Sequence, residues 1–412
     1  MARQLSVVIV DDDRGRTKKW ADSLRTAAGT QVQSSTLLEG EDLEDAIKPL
    51  RDRQRNSRLG RPVTDAKSVF DTADLLIVDY DLLKVDQAGI ETGESIAYLV
   101  RCYSNCSLIV TLNQFGENAF DLSLASRFES FADLNIGSRQ LANRAMWHPP
   151  FRGYRPWNWP LLGAAVQRFR RRVGQIANHL DSPILEFLGF TPAAIAALHK
   201  SVAELLGSRS IQTITFRQFA EASGHGLRNR DRAMSEVNLV RIASARVAQW
   251  LESAVLPGQD VIVDAPHLVR RFPSLLRGDS SRIPILNQTA MLEVTPNKLG
   301  IKASSIDLFR FTSPDWLSRS AWFWPDIAVS EHVSEVVNPF ATTDLDAEFC
   351  EDLSQFAPVE ACRQFSSGLE SPFKRRYVLN HRSQWATRLR RRLKGPADFA
   401  DVRYEPALRF AT

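Results

Sequence analysis

Two short apolar runs near the start of the chain each end in a cluster of aspartates. Val7–Val10, preceded by Leu5, runs into Asp11-Asp12-Asp13, and Leu75–Val78 runs into Asp79-Tyr80-Asp81. An apolar run of this length without polar alternation is what a strand buried on both faces looks like. Such strands need helices over them, which commits this region to an α/β sheet. The intervening segments agree. Arg14–Ala28 reads as a helix with Trp20 and Leu24 on one face and Gly29 beyond its end. Thr30–Ser35 alternates like a strand, and Leu43, Ile47 and Leu50 have helical spacing. Glu91–Tyr103 reads as a helix with Ile96, Leu99 and Val100 as its stripe, between Leu75–Val78 and a further strand at Leu108–Thr111. Phe131–Ile136 is a weaker strand. Strands separated by helices imply right-handed parallel crossovers, hence a doubly wound, five-stranded parallel sheet. Arg51–Arg61, with five arginines and little apolar content, reads as an exposed insertion.

In an open α/β sheet, ligands sit outside the carboxyl ends of the strands. The first strand ends at Asp11 and Asp12, the third at Asp79 and Asp81, the fourth at Thr111. Carboxylates from two strands and a hydroxyl from another therefore meet at one edge. Carboxylates packed this closely repel unless a cation joins them, and oxygen-only donors favour a hard divalent ion such as Mg²⁺. Asp13 reads as a helix N-cap.

Val-Asp-Asp-Asp at 10–13, Ile-Val-Asp-Tyr-Asp-Leu at 77–82, Gly93 near a helix start and Ile-Val-Thr at 109–111 together resemble the receiver domain of two-component response regulators, over about residues 4–140. The resemblance implies a flavodoxin-like sheet and a phosphoacceptor at Asp79. It also implies Mg²⁺ held by Asp11, Asp12 and Asp79 with the backbone carbonyl of Asp81, and a hydroxyl at Thr111 that follows the phosphoryl group. The partner implied is a histidine kinase or phosphotransfer protein, and the only enzymatic step is Mg²⁺-dependent self-phosphorylation. The family's strand-five lysine has no counterpart: Ala132–Arg139 lacks lysine, as does all of the chain between Lys84 and Lys200, leaving Arg139 as the nearby cation. Asp-Tyr-Asp after an apolar strand also resembles the nucleophile motif of haloacid-dehalogenase phosphohydrolases, but here Leu82-Leu83 follow it.

The rest of the 412 residues differs in character. Residues 1–150 carry 18 Lys/Arg against 22 Asp/Glu, while 151–412 carry 34 against 26. Seven of the nine Trp follow Trp147. Residues 141–160 concentrate Trp, Tyr and Pro and read as a packed clasp between a receiver-like domain (1–140) and a mainly helical α+β domain (161–412). In the latter, Leu161–His179, Thr191–Gly207, Ala233–Leu256 and Ser383–Lys394 read as helices, and Asp260–Val263 and Ala290–Val294 as strands. On the Leu161–His179 helix the arginines at 168 and 170–172 read as a solvated face. Asp264 and His267, separated by Pro266, read as a turn. No run reaches the ~20 apolar residues of a membrane helix. Four cysteines are too few for a disulfide scaffold and read as reduced thiols in a cytoplasmic protein. The function expected is a phosphorelay protein with an atypical output domain, with a homodimer as an option. The alternatives are a phosphate sink or pseudo-receiver, including one in a defence phosphorelay, and a DNA-binding regulator using the basic clusters.

Overall fold

The computed structural model describes residues 4–62, 66–80, 82, 92–112, 120–121, 130–137, 141–148, 161–204, 206, 211–223, 234–256, 259–271, 306, 308–330, 347–350, 355–364, 377–380 and 402–403. The chain divides into two compact units. One comprises Met1–Phe151, Pro160–Ser182 and Ile214–Gln249, the other Arg152–Trp159, Pro183–Thr213 and Trp250–Thr412.

The first unit is built on a five-stranded, wholly parallel sheet. Its strands are β1 (Leu5–Val10), β2 (Val32–Leu38), β3 (Leu75–Asp79), β4 (Leu108–Leu112) and β5 (Leu134–Ile136), in the order β2-β1-β3-β4-β5. Helices α1 (Arg14–Ala28), α2 (Gly40–Arg58) and α3 (Gly93–Tyr103) connect the first four, which fits a doubly wound α/β fold. Every residue of β3 and β4 is buried, as their unbroken apolar runs require, whereas edge strand β2 exposes most of its side chains. Helix α1 starts where Asp13 accepts from the amides of Gly15 and Arg16, buries Trp20, Ala21 and Leu24, and stops at Gly29 with φ 57°.

The arginine-rich stretch from Arg51 continues α2 as far as Arg58, with Arg51, Arg55, Arg58 and Arg61 exposed as expected. Its anchor is Arg53, which binds Asp71 through both terminal nitrogens (2.8 and 2.7 Å) and also the Tyr103 carbonyl (2.6 Å). A basic run looks solvent-facing in sequence; here one member of it has a carboxylate and a carbonyl waiting on neighbouring elements.

Two later helices, α4 (Leu162–Ile176) and α6 (Glu236–Trp250), serve the amino edge of the sheet, with α5 (Phe216–Ser223) between them in sequence. Their arginines reach the turns that begin the strands. Arg170 pairs with Asp74 ahead of β3 and donates to the Ser107 hydroxyl (3.2 Å) ahead of β4. Arg241 donates to the Cys106 carbonyl, and Arg246 to the Ser130 carbonyl (2.7 Å) ahead of β5. Arg101 of α3, fully buried, pairs with Asp133. The guanidinium groups of Arg101, Arg241 and Arg172 lie 4.7, 5.3 and 5.8 Å from the ring centre of buried Phe169. Burial, then the neighbouring Arg101, holds Arg241 down at about 10, still charged at neutral pH. Carbonyl acceptors and the π face offset the desolvation of these cations. Only part of the α4 arginine cluster is thus a solvated face: Arg171 is exposed, but Arg172 is buried and Arg170 is half-buried on Asp74. The two corrected positions are those that flank the apolar stripe, where a long side chain can turn under the sheet.

Within the expected clasp, Trp147 is buried and donates its indole N–H to the Leu141 carbonyl (2.9 Å), while Gln31 donates to the Trp147 carbonyl (2.8 Å). Residues 149–160, the basic segment Ser383–Lys394, the strand expected at Ala290–Val294, Arg139 and Asp81 lie outside the described residues.

In the second unit, Ile262–Asp264 pairs antiparallel with Ala321–Phe323, and a four-stranded sheet runs in the order Gln355–Pro358, Ala347–Cys350, Tyr377–Leu379, Cys362–Gln364. Phe190 packs against Phe323 and Trp250, at 5.3 and 6.2 Å between ring centres. All four cysteines are free thiols. Among the described residues no helix is long and apolar enough to cross a membrane.

Phe169→Ala removes both a core ring and the face shared by three buried guanidinium groups. It is expected to cost about 3–5 kcal/mol, read as a lower urea midpoint of unfolding.

Candidate functional site

The order β2-β1-β3-β4-β5 reverses direction between β1 and β3: the chain moves outward from β1 to β2, then crosses back to β3 on the other side. The crevice at the carboxyl ends of β1 and β3 is therefore the topological switch point of the sheet. Register places the aspartates there. Val10 lies opposite Val78 in the parallel ladder, so Asp11 and Asp79 are the next residues along two adjacent strands. Asp11 and Asp79 are completely buried, and the Asp12 side chain is only 4% exposed. One carboxylate oxygen from each of the three comes within 4.8 Å of the others. Asp13 is occupied as the cap of α1, and its amide donates to Asp11 Oδ1 (3.0 Å).

A guanidinium sits in this cluster. Arg16 places Nη2 at 2.9 Å from Asp11 Oδ1 and 2.5 Å from Asp12 Oδ1, and Nη1 at 3.7 Å from Asp79 Oδ2. Its Nε lies 4.0 Å from Asp13 Oδ2. The placement follows from helix geometry: side chains in the first turn point back toward the N-terminus, so Arg16 lies over Asp12 and Asp13, four and three residues before it. Burial works against the charged guanidinium, but Asp11, Asp79, Asp12 and Asp13 together raise Arg16 above its ordinary value. One cation among four carboxylates leaves the cluster under-neutralised. Asp11 registers this. Burial, the Asp12 carboxyl and the Asp79 charge push it up to about 7, against the Asp13 amide and Arg16. Its Oδ2 is buried with no hydrogen-bond partner among the described residues. An all-oxygen set with an orphaned buried oxygen and excess negative charge fits a hard divalent cation held by Asp11, Asp12 and Asp79.

Thr111 is completely buried and lies opposite Val78 in the ladder, one residue short of Asp79. Its hydroxyl donates to Asn135 Oδ1 on β5 and lies 3.5 Å from the Leu134 carbonyl. Asn135 Nδ2 is buried without a partner among the described residues. The polar residue of β5 nearest this edge is thus an amide that engages the Thr111 hydroxyl. Sequence reasoning missed both Arg16 and Asn135. The available signals were the spacing of Arg16 from Asp12 and a lone amide inside an apolar strand.

Gly93 fixes the approach of α3 to the end of β3. Its amide donates to the Tyr80 carbonyl (3.0 Å), and the Tyr80 amide donates to the Leu112 carbonyl (2.8 Å), so the peptide after Asp79 is held from both sides. A Cβ on Gly93 would stand 2.1 Å from the Asp79 carbonyl oxygen and 2.8 Å from Tyr80 Cα. Glu94 ties the same helix start toward β5, accepting from the Ser130 hydroxyl (2.8 Å) and the Phe131 amide (2.5 Å).

Asp264 and His267, in the other unit, form a helix start and not a turn. Helix Ala265–Arg271 begins directly after the strand, with Pro266 in its first turn, where its missing N–H costs nothing. Asp264 accepts from the His267 amide (3.2 Å) and contacts the ring nitrogen Nδ1.

No family model, no curated protein and no solved structure matches the chain.

Gly93→Ala forces α3 away from the β3 terminus and is expected to destabilise the protein by about 1–3 kcal/mol, read as a lower thermal midpoint. A pH series tests Asp11. Its carboxyl holds a proton up to about pH 7 in the folded state but only to about pH 4 when unfolded. The folded state then binds the extra proton between these values, so this group makes stability fall as pH rises through that window. In divalent-free buffer, Asp11→Asn should lose less stability than wild type across it, measured as the urea midpoint; identical slopes would refute the assignment.

Proposed function

We propose that the N-terminal unit is a receiver-like phosphoacceptor: Asp79 takes a phosphoryl group from the phosphohistidine of a histidine kinase or phosphotransfer protein, with Mg²⁺ held by Asp11, Asp12 and Asp79. The observation that carries this reading is the convergence of three buried carboxylates within 4.8 Å at the switch point of a parallel sheet. The nucleophile is a carboxylate oxygen of Asp79. It attacks phosphorus while the histidine nitrogen leaves with the electron pair of the broken P–N bond. The metal, when bound, screens the anionic phosphoryl group and positions it for in-line attack. This chain's residues supply the rest. Asp11 and Asp12 hold the cation without reacting, Gly93 lets the helix start close on the Asp79 peptide, and burial keeps water from competing for the nucleophile. The backbone carbonyl of Asp81 is assigned to the metal by the family resemblance alone.

In this reading the helices α4, α5 and α6 belong with the phosphoacceptor unit, and the output or interaction part of a cytoplasmic signalling protein is the second unit, Arg152–Trp159, Pro183–Thr213 and Trp250–Thr412. One observation favours the phosphate-sink variant. Thr111 is already engaged by Asn135, and the β5 stretch offers no lysine to hold a phosphoryl group. Without these, an acyl phosphate forms and is lost with little change in the surrounding elements.

Incubation with Mg²⁺ and acetyl phosphate, followed by intact-mass measurement, is expected to add one phosphate to wild type and none to Asp79→Asn. Absence of the adduct on wild type, under conditions that label a control receiver, sinks the proposal. Rapid loss of the adduct with no change in oligomer or shape selects the sink variant over the switch.

A further inference from the structure

We propose that Arg16 is the resident cation of the aspartate pocket, that a divalent ion enters only by displacing it, and that Arg16 thereby sets the pocket's metal affinity. The inference rests on reading Asp11, Asp12 and Asp79 as the ion's ligands and adds a residue to that site that the family resemblance does not supply.

Three observations support it. First, the guanidinium occupies the ligands themselves: a single nitrogen, Nη2, bridges Asp11 Oδ1 and Asp12 Oδ1 at 2.9 and 2.5 Å, while Nη1 faces Asp79 Oδ2 at 3.7 Å. These are the same three residues whose oxygens come within 4.8 Å of one another. A second cation on those oxygens would stand against the first at short range, and that repulsion is large where water is excluded. Second, the exchange has a route. The carboxylates of Asp11, Asp12 and Asp79 are at most 4% exposed, whereas the Arg16 side chain is 36% exposed. Arginine therefore reaches in from the solvent side on a flexible stem and can withdraw into water; the aspartates, fixed at strand ends, cannot. Third, the guanidinium leaves demand unmet, since Asp11 Oδ2 is buried with no hydrogen-bond partner among the described residues. An ion of higher charge density can use that oxygen as well.

The consequence is a competition with a definite sign. Guanidinium stays protonated at every accessible pH, so raising the pH does not discharge the competitor. Only the fraction of molecules with Arg16 swung out binds the ion, and the observed affinity is the intrinsic one reduced by that fraction. Neutralising Arg16 removes the competitor and leaves the three ligands in place. Replacing it by lysine keeps a charge but loses the fork that spans Asp12 and Asp79 together.

Calorimetric titration of metal-free full-length protein with MgCl₂ tests this on wild type, Arg16→Gln and Arg16→Lys, with folding of each checked by near-ultraviolet circular dichroism in EDTA. Arg16→Gln is expected to bind Mg²⁺ at least about tenfold tighter than wild type, with Arg16→Lys in between, because the competing closed state is lost. If wild type and Arg16→Gln bind with equal affinity, or the variant binds more weakly, the competition is overturned while the pocket remains a cation site. If neither wild type nor Arg16→Gln binds at millimolar Mg²⁺, the cation-site reading fails and the competition falls with it. Should Arg16→Gln not fold, Arg16→Lys decides: tighter binding than wild type supports the competition, and unchanged binding overturns it.

Discussion

The structure of the N-terminal unit turns on the repulsion among carboxylates that the sheet forces together. Parallel pairing of β1 with β3 leaves no freedom in the matter. Once Val10 sits opposite Val78, Asp11 and Asp79 must end side by side, buried, at the one place where neighbouring connections diverge. The chain answers with what it has nearby. Asp13 turns away to cap α1, its amide is given to Asp11, and Arg16 returns one turn later to lie across the group. These responses do not offset burial, the Asp12 carboxyl and the Asp79 charge, which together push Asp11 up to about 7. A fold that needed these residues only for stability would gain by replacing one of them with an amide.

The opposite edge of the same sheet is handled with the opposite charge. Arg170, Arg241 and Arg246, carried on α4 and α6, take up the carboxylate and carbonyl groups of the turns that lead into β3, β4 and β5. Arg170 thereby sets a positive charge from beyond residue 150 against a carboxylate of residues 1–150. Part of the positive excess beyond residue 150 is not a surface for an outside partner but the missing counter-charge of the sheet unit. Within the same unit, Arg172 of α4 and Arg101 of α3 gather around the buried Phe169 ring.

The sheet was legible because its central strands are buried on both faces and so are written as unbroken apolar runs; Leu75–Val78 and Leu108–Thr111 could hardly be anything else. The aspartates were legible for a related reason, since strand ends define where a parallel sheet presents its chemistry. What escaped was every long polar side chain whose partner lies far off in sequence. Arg53 looked like part of a solvated basic run until Asp71 and the Tyr103 carbonyl came alongside it. Arg172 and Arg170 flank an apolar stripe, and periodicity places such positions at its margin without saying which way a flexible stem will turn. Arg16 was hidden differently: its spacing from Asp12 was visible, but a helix-surface ion pair was the ordinary expectation, not a guanidinium inside a buried pocket. Asn135 escaped because a lone amide inside an apolar strand carries no mark of the Thr111 hydroxyl that the neighbouring strand brings to it.

We propose that the three carboxylates act as one phosphoryl-accepting pocket with Asp79 as its acceptor. The most direct measurement is ¹⁹F nuclear magnetic resonance of the protein with Mg²⁺ and beryllium fluoride, a mimic of a phosphoryl group on a carboxylate. The account predicts bound fluoride resonances on wild type that require Mg²⁺ and vanish in Asp79→Asn. A folded wild-type protein that gives no bound resonance, or one that persists in Asp79→Asn, would contradict it.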